Sequence, residues 1–206
     1  VTGAFPIPRD LMERIPAVPG VGDVAAGDRA PLQVTQFEAD LKIADQLRAI
    51  YLEGGGGGNS CESYNLPWYF AAMKTSIDSV DKRNKKGFLF TIGDEEPPAN
   101  LTVAQQQRVF GESAERDFTN RELLDLVERN YHVFHIIVEE GSHFRSHSDR
   151  VLTKWRDLLG QRVLRLSDYT CLAEVIVSTI QSIEGMDNDA VSGSWSGDTS
   201  LVVAHA

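Results

Sequence analysis

The stretch "YHVFHIIVEE", residues 131–140, constrains this chain most. Its apolar run has the length of a strand and leaves no polar face, so it reads as a central strand covered on both sides. The segments around it follow the same logic. "KKGFLFTIGDEEPP" (85–98) reads as a strand with a loop behind it, and "RVLRLSD" (162–168) as a further strand. Helices separate them. "TNRELLDLVERN" opens on a capping box, Thr119 with Glu122 three residues on. "SDRVLTKWRDLLG" (148–160) is amphipathic and stops at Gly160. "YTCLAEVIVSTIQSIEG" (169–185) reads as a helix, and residues 99–117 as loop plus a short helix.

The N-terminal part is less regular. Three prolines punctuate residues 1–16. "AVPGVGDV" (17–24) looks like a short buried strand ending at Gly22-Asp23, and "PLQVTQFEAD" (31–40) alternates like a strand. Leu41, Ala44, Leu47, Ile50 and Tyr51 recur at helical spacing. Five glycines, Gly54–Gly58, come next. "ESYNLPWYFAAMKTSIDSV" (62–80) then reads as a helix beginning near Tyr64, because Pro67 is tolerated only in a first turn. Alternating strands and helices imply an α/β fold, a mostly parallel sheet with helices on both faces. Residues 185–206, rich in Ser, Gly and Asp, read as a flexible tail after a domain spanning 1–184.

In such sheets, ligands bind at the carboxyl ends of the strands. Asp23 ends one strand, and Asp94, Glu95 and Glu96 follow another. The glycine loop enters a helix and can lie on the same rim, with Asn59, Ser60 and Glu62 behind it. A linker does not sit between two core elements, so the glycines read as backbone brought close to that rim. Hard oxygen donors of this kind suit Mg2+, Mn2+ or Ca2+.

Three segments together resemble the von Willebrand factor A domain with its metal-ion-dependent adhesion site. "TIGDEEP" is similar to the segment that supplies the family's late aspartate, at Asp94. "GGGNSCES" is similar to a Gly-Gly-Gly-Asp-x-Pro-Glu variant of a second loop, with Asn59 at the Asp/Thr position and Glu62 at the glutamate. "VTGA" would follow the aspartate of the first motif, Asp-x-Thr-Gly-Ser, putting Thr2 at a ligand position. The departures are Ala4 in place of the last serine, a neutral Asn59, and a leading aspartate that the sequence does not contain. The N-terminal strand is therefore expected to be incomplete.

The resemblance implies a three-layer, Rossmann-like fold. It implies a divalent cation on Asp94, with Thr2 and Asn59, and with Asp23, Ser60, Glu62 and Glu95 in support. It also implies a non-enzymatic adaptor whose protein partner supplies an acidic oxygen, an AAA+ ATPase being one class. The alternatives are a hydrolase using Asp94, Glu95 and Glu62, which lacks a convincing nucleophile, and a scaffold whose metal site has decayed.

Composition sets the remaining bounds. Hydrophobic residues make up 42% and charged residues 24%, enough for a core. A net charge of -10 argues against nucleic acid and anionic membranes as partners. Two cysteines, Cys61 and Cys171, imply no disulfide framework and a reducing, cytoplasmic setting. Cys61, near a helix start, is a candidate nucleophile without a local signature. His143 and His147 have the i, i+4 spacing of a zinc pair on a helix, but "GSHFRSHSD" reads as loop. The basic run "DKRNKK" (81–86) reads as a solvated helix end, and "GDRAP" as a turn with an Arg29 ion pair or as a source of further carboxylates, Asp23 and Asp28.

Overall fold

The computed structural model describes residues 17–37, 42–53, 58–111 and 114–206. Thr2, Ala4 and Gly54–Gly57 lie outside them. The parallel sheet is real and has three strands, β3 (Gly87–Gly93), β4 (Tyr131–Val138) and β5 (Val163–Leu166), in that spatial order. Gly87 registers with Tyr131 and Gly93 with Ile137, while His135 starts the pairing with Val163. The two N-terminal strands, β1 (Pro19–Val21) and β2 (Leu32–Val34), are not part of this sheet. They pair with each other, antiparallel.

Nine helices are described: α1 (Lys42–Arg48), α2 (Asn65–Lys74), α3 (Asp78–Asp81), α4 (Val103–Phe110), α5 (Asn120–Val127), α6 (Ser142–Leu159), α7 (Leu172–Ile183), α8 (Asn188–Gly193) and α9 (Asp198–His205). Both faces of the sheet are covered, as its uninterrupted apolar strands require. On one face, Val133 and Ile137 of β4 join Trp68 of α2, Leu123 and Leu124 of α5, and Val151 and Trp155 of α6. On the other, Ile136 and Leu166 meet Val175 of α7 and Val202 of α9.

Local chemistry sets several boundaries. Thr119 and Glu122 form the expected capping box on α5, and Thr102 with Gln105 forms a second one on α4. Pro67 sits in the first turn of α2, where its missing N–H costs nothing. Helix α6 starts six residues before the expected 148, so "SHFRSH" is helical rather than loop, with a kink at His147. The C-terminal residues, whose composition reads as a tail, form α8 and α9 and bury Val191 and Val202. No helix among the described residues is long and apolar enough to cross a membrane.

Candidate functional site

Three loops meet at the carboxyl end of β3: residues 22–28 after β1, residues 58–64 before α2, and residues 94–96. Buried hydrogen bonds hold them together. The Val24 N–H donates to Ser63 Oγ at 2.9 Å, and Glu96 N–H donates to the Ser60 carbonyl at 3.2 Å, where Cys61 and Glu96 bridge. Asn59 Nδ2 donates to Asp23 Oδ2. Asp23, 2% exposed, is held in its own turn, since its N–H donates to Asp28 Oδ2 at 2.7 Å. Arg108 of α4 clamps that turn by donating to the carbonyls of Val24, Gly27 and Asp28. Arg29 plays no such part through its backbone, because its N–H donates to Glu53.

The floor of the rim is aromatic. His135 of β4 stacks on Trp155, with centroids 3.5 Å apart and planes 8° apart, and Tyr64 meets both edge-on. Trp155 Nε1 donates to the Glu95 carbonyl at 2.8 Å, and Tyr64 bonds the Glu95 backbone as well. Gly93 is required here: a Cβ would stand 2.0 Å from the Tyr64 hydroxyl.

The expected rim residues Asp23, Asn59, Ser60, Glu62, Asp94 and Glu95 are thus gathered by these three loops. Their roles differ. Asp94 Oδ2 accepts the His143 N–H at the start of α6. Asn59 is engaged with Asp23, and Ser60 contributes its carbonyl and a positive φ of 65°. Glu62 carries a buried oxygen, Oε2, with no hydrogen-bond partner. Its carboxyl is raised to about 7, first by burial and then by the charges of Glu95, Asp23, Asp28 and Asp94. Burial and neighbouring carboxylates also raise Glu95, with His143 acting the other way.

Glu96 behaves differently. Burial alone would raise it, but hydrogen bonds and charge from Lys154 and Arg150 outweigh that and hold it low. Glu96 and Lys154 line one side of a groove of about 500 Å³ beside the rim, with Asn59, Cys61, Pro97 and Pro98. Cys61 is not an activated thiol. Burial and the carboxylates of Asp23, Glu95, Glu62 and Glu96 push it up to about 11, the reverse of what its place near a helix start implies.

His143 and His147 do stack on α6, at 4.6 Å. Among the described residues, no three His, Cys, Asp or Glu side chains converge closely enough to hold a metal ion. Arg108, Gly141, Arg150 and Lys154 complete the site around Glu96 and are not marked in the sequence. Each acts on a loop far away in the chain, so no local pattern marks it. No family model, no curated protein and no solved structure matches this chain.

Proposed function

We propose that this chain is a cation-dependent protein-interaction module, built on the three-layer arrangement of a von Willebrand A-type domain. The parallel β3–β4–β5 sheet, with helices on both faces and an acidic rim at its carboxyl end, supports the reading. The observation that carries it is Glu62. Its buried oxygen lacks a partner, and four neighbouring carboxyls oppose its ionisation. A bound cation relieves such a cluster.

The donor set fits a hard divalent cation, Mg2+, Mn2+ or Ca2+, because every candidate ligand is an oxygen. Asp94 would bind it directly, with water filling most other positions, Glu62 and Glu95 would support it from the rim, and Asn59 and Asp23 would fix the loops around it. Thr2 joins them by the resemblance alone. When bound, the cation would attract a carboxylate presented by a partner. The partner is thus a protein that presents an acidic residue, an AAA+ ATPase being one class, and the module performs no chemistry of its own.

Calorimetric titration of Mg2+ and Mn2+ into the protein, Asp94→Ala and Glu62→Gln tests this. Binding by the parent chain that both variants weaken supports the module. A second reading, a cation-free scaffold, has one observation in its favour: the described side chains offer no three converging ligands. Absence of heat from all three proteins would establish that reading instead.

A further inference from the structure

The β1–β2 hairpin and α1 stand apart from the parallel sheet and are tied to one another. Gln33 and Tyr51 exchange two hydrogen bonds, each 2.8 Å. The Gln36 N–H donates to Gln46 Oε1, and Glu53 accepts from the N–H groups of Arg29 and Ala30. Their apolar anchorage in the body is slight. Val24 is their one residue in the buried apolar core among the described ones, Leu32 packs against that core from its margin, and no residue of α1 is buried. A segment with few buried contacts opens at a smaller cost than the core it rests on.

The bonds that hold this unit to the body gather at the 22–28 turn. The Val24 N–H donates to Ser63 Oγ, and Asn59 donates to Asp23. The Arg108 guanidinium donates to three carbonyls, those of Val24 and Gly27 at 3.0 Å and that of Asp28 at 2.5 Å. Arg108 stands on a fixed base. Its helix α4 carries a capping box at Thr102, and Gln106, 1% exposed, ties that helix to the carbonyls of Leu101 and Arg116. Carboxylates meet across the same seam. Asp23 and Asp28 arrive on the hairpin and crowd Glu62, which the body carries together with Asp94 and Glu95. Their repulsion favours separation, and the Arg108 bonds oppose it.

We propose that the hairpin with α1 is a strap over the acidic rim, that it opens as one unit, and that Arg108 is its latch. Closed, the strap buries Asp23 and Ser63 and completes the rim. Open, it carries Asp23 and Asp28 away from Glu62 and uncovers Ser63. An isolated two-stranded hairpin is marginal in water, so opening also unzips β1 from β2. In one respect the strap rests on the cation reading above. A cation among carboxylates from both sides of the seam would favour the closed strap, and the closed strap would favour the cation by the same factor.

Residue-resolved hydrogen exchange at pH 7 in EDTA tests the strap without any cation. The N–H groups of Gly22 and Thr35 donate across the hairpin, and that of Val24 donates across the seam. These three amides should share one protection factor and exchange about a hundredfold faster than those of β4. Arg108→Met should speed all three about tenfold and leave β4 unchanged. Arg108→Lys, which keeps the charge and loses the fork, should fall between. Unrelated protection at the three amides, exchange in step with β4, or indifference to both Arg108 variants overturns the proposal. Adding Mg2+ separates it from the cation reading. Heat of binding without slower exchange at these amides overturns the coupling. No heat, with exchange that still answers to Arg108, ends the cation reading and sustains the latch.

Discussion

Asp94 caps helix α6 from outside it, its Oδ2 accepting the His143 N–H at 2.9 Å. The residue at the cap position itself is Gly141, which has no side chain to do so. Gly141 must also be small, because a Cβ there would stand 2.2 Å from both Cβ and Oδ2 of Asp94. Its φ of -63° is ordinary, so the demand is steric and not conformational. One carboxylate therefore closes the rim and starts the helix. Asp94→Ala should cost about 1 kcal/mol, the usual loss for an N-cap acceptor. Asp94→Asn keeps an oxygen for His143 and should cost a few tenths. Urea denaturation of both variants decides it, and equal losses would mean that the cap contributes nothing.

This cap explains why the start of α6 was not legible. Its acceptor lies 49 residues away in the chain, so "SHFRSH" carries no local start signal and reads as loop. The capping box at Thr119 needed only Glu122, three residues on, and was readable. The same contrast holds for the sheet. Apolar runs marked β3, β4 and β5 as strands, and the helices between them implied parallel pairing. The alternation in residues 31–40 marked a strand but not its partner, and β2 pairs antiparallel with β1 instead. Burial of Val191 and Val202 is a tertiary event, which a Ser- and Gly-rich composition conceals. At the site, strand ends delivered Asp23 and Asp94 as read. The Cys61 environment was not readable, because the carboxylates that suppress its thiolate come from three separate loops.

Glu62 makes stability depend on pH. Its carboxyl ionises near 4.5 when unfolded and is raised to about 7 in the fold. Between these values the native state binds the proton more tightly than the unfolded chain. Stability from this group is present at low pH and is lost as pH rises through 7. Glu62 is only half-buried and solvent screens its neighbours, so the penalty at pH 8 should be about 1 kcal/mol. Glu62→Gln should be more stable than the parent chain by that amount at pH 8 and equal to it near pH 4.5. Urea titrations at both pH values measure the difference, and a gain that does not depend on pH would remove ionisation as its cause.

His135 acts in the opposite sense over an overlapping range. The ring is fully buried, with Nδ1 and Thr91 Oγ1 2.9 Å apart and Nε2 without a partner. Burial holds it well below the usual histidine range, so it stays neutral in the fold. Below about pH 6.5 the unfolded chain takes up a proton that the native state refuses, and stability falls by up to about 1.4 kcal/mol per pH unit. Between pH 5 and 6.5 this loss should exceed the smaller gain from Glu62, so the parent chain loses stability, but less steeply than a chain without that carboxyl. The variants separate the two terms. His135→Phe keeps an aromatic ring against Trp155 and cannot titrate, so its stability should rise steadily as pH falls from 7 to 5. Glu62→Gln retains the histidine and should lose stability over the same interval. Parallel pH profiles for the two variants would show that neither group sets the acid response, whereas slopes of opposite sign would assign it to both.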